Sequence, residues 1–327
     1  MDFAVKDGCI VGLGEYRGRK EYDLAGARVV PGLIDAHVHI ESSLLTPAEY
    51  ARLVLAHGTT TVIADPHEIA NVCGAPGIEY MLTEGTRTPL DILIMLPSCV
   101  PATPLDLGGA VLAADDLALF REREGVIGLA EVMNVPGVLA GDEDLRAKMA
   151  LFEVIDGHAP FLSGKDLNAY IYAGVRSDHE CTTLDEAREK LLRGMYIMVR
   201  EGSTERNLRE LLPLVNACTT PRCCFATDDR HADMLAREGH IDDCIRKAVG
   251  CGLEVEQAIR MATLSAADRF GLHDRGALAP GRIADFCIID DPVRFRVLRT
   301  FKRGVEVVDA GYRPPVCPAV PLHARVP

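Results

Sequence analysis

The sequence has no apolar run approaching the roughly 18 residues that a membrane-spanning helix requires. Its start, Met1-Asp2-Phe3-Ala4-Val5-Lys6-Asp7, lacks the basic stretch and long apolar segment of a secretory signal, so the expectation is a cytosolic protein without a membrane partner. No Cys-x-x-Cys occurs among the 11 cysteines, and an odd number in a chain of 327 residues points to reduced thiols rather than a disulfide framework. Cys223-Cys224 lies in an apolar run and reads as two small buried hydrophobes. Basic charge is scarce: 35 Lys and Arg face 48 Asp and Glu, a formal net charge of −13. That balance opposes a nucleic-acid backbone and favours a small neutral or cationic ligand. No Gly-x-Gly-x-x-Gly follows the first strand-like run, which argues against a dinucleotide fold, and no Pro-Cys-x-x-Cys signature of the zinc nucleobase deaminases appears.

What is present is a 48% hydrophobic chain, long enough for one large domain and a smaller one. Eight short runs rich in Val, Ile and Leu cover 29–40, 60–65, 90–96, 126–132, 154–159, 174–179, 195–201 and 223–228. Helical spacing over 47–56 behind a Thr46 cap, and over 115–123, 184–192 and 205–212, separates several of them. Strands alternating with helices make an α/β fold, and eight such units predict a (β/α)₈ TIM-like barrel over 29–275. Residues 1–28, with a hairpin around Asp7-Gly8, and 276–312, with strands near 284–290 and 304–308, are expected to form one small accessory β domain; 313–327 reads as a proline-rich tail.

Barrel active sites lie at the carboxyl ends of the strands. His37 and His39 end the first run, where residues i and i+2 point to one side. Glu131 ends the fourth, His158 the fifth, His179 the sixth and Asp228 the eighth. Four imidazoles and two carboxylates without thiolates suit Zn, Fe or Mn. Six donors exceed the needs of one catalytic ion and fit two, with Glu131 as the bridging carboxylate. Such a centre lowers the pKa of bound water from 15.7 toward about 7. His67 and Glu68 follow the second run, and Asp229 and His231 flank Asp228; all four are candidates for substrate contact, against the simpler readings of structural hydrogen bonds and helix caps. His57 at a helix end, His240 and His273 are expected to be structural, and Lys165 structural or near the substrate.

Pro31-Gly32-Leu33-Ile34-Asp35-Ala36-His37-Val38-His39 is similar to the first-strand signature of the amidohydrolase superfamily, and Gly276-Ala277-Leu278-Ala279-Pro280-Gly281-Arg282-Ile283-Ala284-Asp285 to its return into the small β domain. Further segments resemble the adenine deaminase family: Ile63-Ala64-Asp65-Pro66-His67-Glu68, Asp156-Gly157-His158-Ala159-Pro160, Arg176-Ser177-Asp178-His179-Glu180 and Thr227-Asp228-Asp229-Arg230-His231. The resemblance implies two divalent ions, Mn or Fe with Zn also compatible, and hydrolysis of adenine to hypoxanthine and ammonia. Under it Asp228 ligates metal and moves a proton to the leaving amine. Glu131 bridges the ions or protonates the purine ring, the bridge being preferred. The family pattern continues beyond the point where this chain turns proline-rich, which leads to the expectation of a homo-oligomer or a weakly active enzyme. Opening of a cyclic amide on the same metals, or a noncatalytic binding protein that keeps the barrel, are the competing readings.

Overall fold

A computed structural model describes residues 2–103 and 105–308. The expected tail, 313–327, and residues 309–312 of the expected β domain lie outside the described residues. Eight parallel strands carry the architecture. Leu33–Val38, Thr59–Ala64, Asp91–Leu96, Val126–Val132 and Ile155–Gly157 form one sheet in sequence order; Ser177–Asp178, Tyr196–Arg200 and Cys223–Ala226 form a second. The two sheets meet at both edges. The Arg176 amide donates to the Ile155 carbonyl at 3.3 Å, and Val38 bridges to Asp228 in parallel, with the Asp228 amide donating to the His37 carbonyl at 2.9 Å. The result is the expected α/β barrel order.

The first run, expected as one strand over 29–40, divides at Gly32. Arg28–Pro31 pairs antiparallel with Phe286–Ile289 in a separate four-stranded sheet, whereas Leu33–Val38 belongs to the barrel. Consecutive amides turn to different partners here: Gly32 donates to the Asp285 carbonyl and Leu33 to that of Gly58, both at 2.9 Å. A Cβ on Gly32 would sit 2.2 Å from Thr60 Oγ1, so this close crossing requires glycine.

Helices Pro47–Ala56 and Leu184–Leu192 form where their spacing places them, each started by a threonine (Thr46, Thr183) whose side chain accepts from the amide three residues on. The expected helix over 115–123 is confined to Ala114–Ala118, after which the chain continues in three-residue turns. That over 205–212 shortens to Leu208–Leu211 and passes into a 3₁₀ turn containing Pro213, which has no amide to donate. Ile34, Ala36, Ile63, Met95, Ala130, Met198, Cys224 and Ala226, from six of the barrel strands, share one buried cluster. Cys223 and Cys224 are fully buried, and all cysteines among the described residues are free.

The hairpin Phe3–Lys6/Cys9–Leu13 turns at Asp7 and Gly8, both with positive φ (50° and 79°), as an Asp-Gly turn favours. It packs on the other end of the chain: the Ile10 amide donates to the Arg282 carbonyl and the Ala284 amide to that of Gly8, at 2.9 and 2.8 Å. Ile10, Ala284, Phe286, Ile288 and Phe301 form their own buried cluster there. Sequence periodicity had missed Val297–Lys302, the strand that pairs Phe286–Ile289 with Val305–Glu306. No helix among the described residues is long and apolar enough to cross a membrane.

Candidate metal centre

His37, near the end of the first barrel strand, and His39, just beyond it, have Nε2 atoms 3.1 Å apart. The other nitrogen of each ring is committed. His37 Nδ1 lies 3.0 Å from the Asp156 carboxylate and His39 Nδ1 3.0 Å from the Asp65 backbone carbonyl. A carboxylate and a carbonyl only accept, so both rings donate through Nδ1 and, when neutral, aim their Nε2 lone pairs at each other. Two lone pairs at that separation repel unless a cation stands between them. The cation is a proton or a metal ion, and a donated Nδ1–H is the usual support of a metal-binding imidazole.

Glu131 divides its two oxygens between two groups of histidines. Oε1 is 3.5 Å from His39 Nε2 and 3.3 Å from His67 Nδ1; Oε2 is 2.6 Å from His158 Nδ1 and 3.2 Å from His179 Nε2. Asp228 is similarly split: Oδ1 faces His39 and His37 (3.2 and 3.7 Å), while Oδ2 accepts from Arg200 Nη1 at 2.6 Å. Two donor sets therefore emerge, one of His37, His39 and Asp228 and one of His158 and His179, with Glu131 between them. All but His158 are at least nine-tenths buried.

The titration behaviour follows from this crowding. Burial, the largest influence, lowers the His37 pKa, but the bond to Asp156 together with the Asp156 and Glu131 charges outweighs it and carries the ring up to about 9. Burial pushes Glu131 and Asp228 upward, yet the surrounding histidines hold both well below the usual carboxylate range. Protons on the imidazoles offset the carboxylate charge in this arrangement, and a bound divalent ion would displace them. Buried oxygens without a hydrogen-bond partner, Asp65 Oδ1 and Glu68 Oε2, and the unpartnered His179 Nδ1, lie in the same cluster. The donor set, its burial and these orphaned atoms all fit divalent cations.

The other expected site residues divide. His67 and Glu68 lie against the donors rather than apart from them: His67 Nδ1 is 3.0 Å from Asp65 Oδ2, and Glu68 Oε2 is 3.4 Å from His39 Nδ1. Asp229 groups with His39 and Glu68 and accepts a short bond from Ser42. His231 stands outside the cluster, exposed in front of helix Ala232–Arg237, in a shallow cavity of about 360 Å³ that it shares with Ser42 and Leu44. His57 ends its helix and bonds Asp242, His240 is fully buried, and His273 and Lys165 are exposed. Sequence reasoning missed Asp65, Asp156, Glu180 and Arg200. Glu180 lies 3.5 Å from His179 Nε2 and joins Arg200 in a close ion pair. Its position next to His179 was a usable signal; nothing local marked Asp156 or Arg200.

The amidohydrolase family pattern matches residues 28–307. The chain belongs to the amidohydrolase family. This amidohydrolase is 85% identical, over all of its length, to an adenine deaminase of Methanoculleus marisnigri, and 65% identical to one of Methanoregula boonei. It spans 63% and 59% of the lengths of those two relatives. A solved structure described as an adenine deaminase, 18% identical, superposes with a TM-score of 0.65 over 93% of this chain and 94% of that one, a likeness of fold.

Proposed function

We propose that this chain catalyses the metal-dependent hydrolytic deamination of adenine to hypoxanthine and ammonia. The observation that carries the hydrolytic reading is the facing pair of His37 and His39 Nε2 atoms, 3.1 Å apart, beside a Glu131 carboxylate divided between two histidine groups. The names of the high-identity relatives support adenine as the substrate. His37, His39, Glu131, His158, His179 and Asp228 would hold two divalent ions, Mn or Fe, with Zn also compatible. Bound there, the ions would make a water molecule acidic enough to attack at neutral pH.

The protein's own groups then manage the protons. Asp228 accepts the proton of the attacking water and passes it toward the leaving amino group, and Arg200 keeps its second oxygen occupied. Glu131 would bridge the ions, a role that competes with protonation of the purine ring and ranks before it. His67, Glu68 and Asp229, which lie against the donors, and His231, which stands outside them, are assigned to the purine edge. We also read 1–28 with 276–312 as one accessory β unit around the barrel of 29–275, and the assembly as a homo-oligomer. The interlocked ends of the chain support the first reading.

The decisive test reconstitutes the protein anaerobically with Mn²⁺ or Fe²⁺ and assays ammonia release from adenine, other purines and cyclic amides. Ammonia and hypoxanthine in equal amounts from adenine are expected. Ring opening of a cyclic amide with no ammonia from adenine would replace this reading by the competing amidohydrolase reaction.

A further inference from the structure

Next to the donors the fold buries a second polar cluster that the proposed chemistry leaves unused. Asp35, Thr227 and His240 have no solvent exposure, and Tyr50 has 1%. The Asp35 carboxylate is surrounded by donors. Its Oδ1 accepts from the amides of Thr227 at 3.1 Å and His37 at 3.3 Å; its Oδ2 accepts from the Thr227 hydroxyl at 2.5 Å and lies 2.9 Å from His240 Nε2. His37 and Thr227 thus supply three hydrogen bonds to this carboxyl group, and His240 adds a close polar contact. His240 is fixed in turn: Nδ1 is 2.8 Å from Thr59 Oγ1, Nε2 is 2.9 Å from the Tyr50 hydroxyl, and its amide donates to Asp242 Oδ1 at 2.7 Å.

The two residues whose backbones Asp35 holds are informative. One is His37 itself; the other, Thr227, immediately precedes Asp228. Asp228 has φ of 54°, a left-handed conformation uncommon for a residue with a Cβ. The first and eighth strands share no regular ladder, only the bridge between Val38 and Asp228. A methyl-filled seam would bury more easily than a carboxylate, but it would not fix direction, whereas three hydrogen bonds and the close His240 contact on one group do.

We propose that Asp35 and His240 form a positioning clamp at the seam of the first and eighth strands, which makes Asp228 present Oδ1 to His37 and His39. The assignment of Asp228 to proton transfer rests on the function proposed above; the clamp's effect on metal binding does not.

The test measures Mn²⁺ affinity by chelator competition, melting of the metal-free protein, and kcat and KM for adenine, all on the full chain. H240A removes the ring that packs against Asp35, and T227V removes a hydroxyl donor with little change of shape, which keeps the test open if H240A does not fold. Both are expected to weaken one of two Mn²⁺ ions by about 10–100-fold, the usual consequence of losing a group that orients a ligand, and to leave the other ion in place. Turnover should fall while KM holds, and H240Q, which keeps a donor, should recover part of the affinity. Unchanged Mn²⁺ affinity in the folded variants overturns the proposal, and so does equal weakening of both ions, which would mark general loosening of the barrel. Because Mn²⁺ affinity and melting need no substrate, a wild-type protein that binds two ions but leaves adenine intact would refute the function and still test the clamp.

Discussion

Asp228 and Asp229 are consecutive acids in different surroundings. The Asp228 carboxylate is buried among His37, His39 and Arg200, whereas Asp229 is half-buried and takes its bond from the Ser42 hydroxyl. The charges that keep Asp228 ionised come from His39, His179 and His37, the same rings that would give up their protons to metal. Asp228→Asn keeps the shape and an oxygen at Oδ1 but loses the carboxylate charge that lets that oxygen take a proton. Steady-state turnover of the metal-loaded variant should be lower by about 10²–10⁴, the scale for losing a positioned acid or base. Asp229→Asn, which keeps a hydrogen-bonding group toward Ser42, should lose less. An inactive Asp229→Asn beside an active Asp228→Asn, both with full metal content, would show that the proton-transfer role belongs one residue further along.

At the level of strands, the centre depends on how closely the fourth and fifth approach. Gly128 lies three residues before Glu131, and a Cβ there would fall 2.4 Å from the Val154 carbonyl oxygen, a backbone atom that cannot rotate away. Gly128→Ala must therefore separate the strands that present Glu131 and His158. A stability loss of about 1–3 kcal/mol, the usual cost of overpacking, should appear as a lower melting temperature together with weaker metal retention. An unchanged melting temperature would mean that the strands yield without strain. Close approaches of this kind are invisible in a sequence, but much else was legible. The strand over 126–132 and the helices over 47–56 and 184–192 occur with the bounds that periodicity and threonine caps indicate. The run over 174–179 keeps only Ser177–Asp178 as strand, and the one over 29–40 divides, because apolar residues mark burial without saying which sheet buries them. The six candidate donors could be picked out because each stands at or just beyond a strand end. Asp156 meets His37 across 119 positions, Asp35 meets Thr227 across 192, and no local pattern encodes such pairings.

For the molecule as a whole, the question is what fixes the antiparallel sheet to the barrel. Asp91 begins the third barrel strand and bonds Lys302 Nζ at 2.9 Å and Arg275 Nη1 at 2.6 Å. Lys302, at the end of Val297–Lys302, also bonds Asp285 at 2.5 Å and the Thr60 carbonyl at 3.1 Å, while Arg275 reaches Thr61 Oγ1 at 2.9 Å. One network of charges therefore spans two barrel strands and the antiparallel sheet. Burial would raise the Asp91 pKa, but the Lys302 and Arg275 charges outweigh it and hold the group below its ordinary value of 3.8. The folded protein thus binds the Asp91 proton less readily than the unfolded chain does. Its contribution to stability is complete above that ordinary value and is lost as pH falls from there through the lowered folded value. Asp91→Asn should cost about 1.5–3 kcal/mol at pH 7, the range for hydrogen bonds to charged groups, since Lys302 retains Asp285. Thermal melts of both proteins from pH 7 down to pH 3 should show the gap between them narrowing below about pH 4, as the wild-type carboxylate takes up its proton and comes to resemble the amide. A gap of constant size across that window would mean that Asp91 acts there through packing and not through its charge.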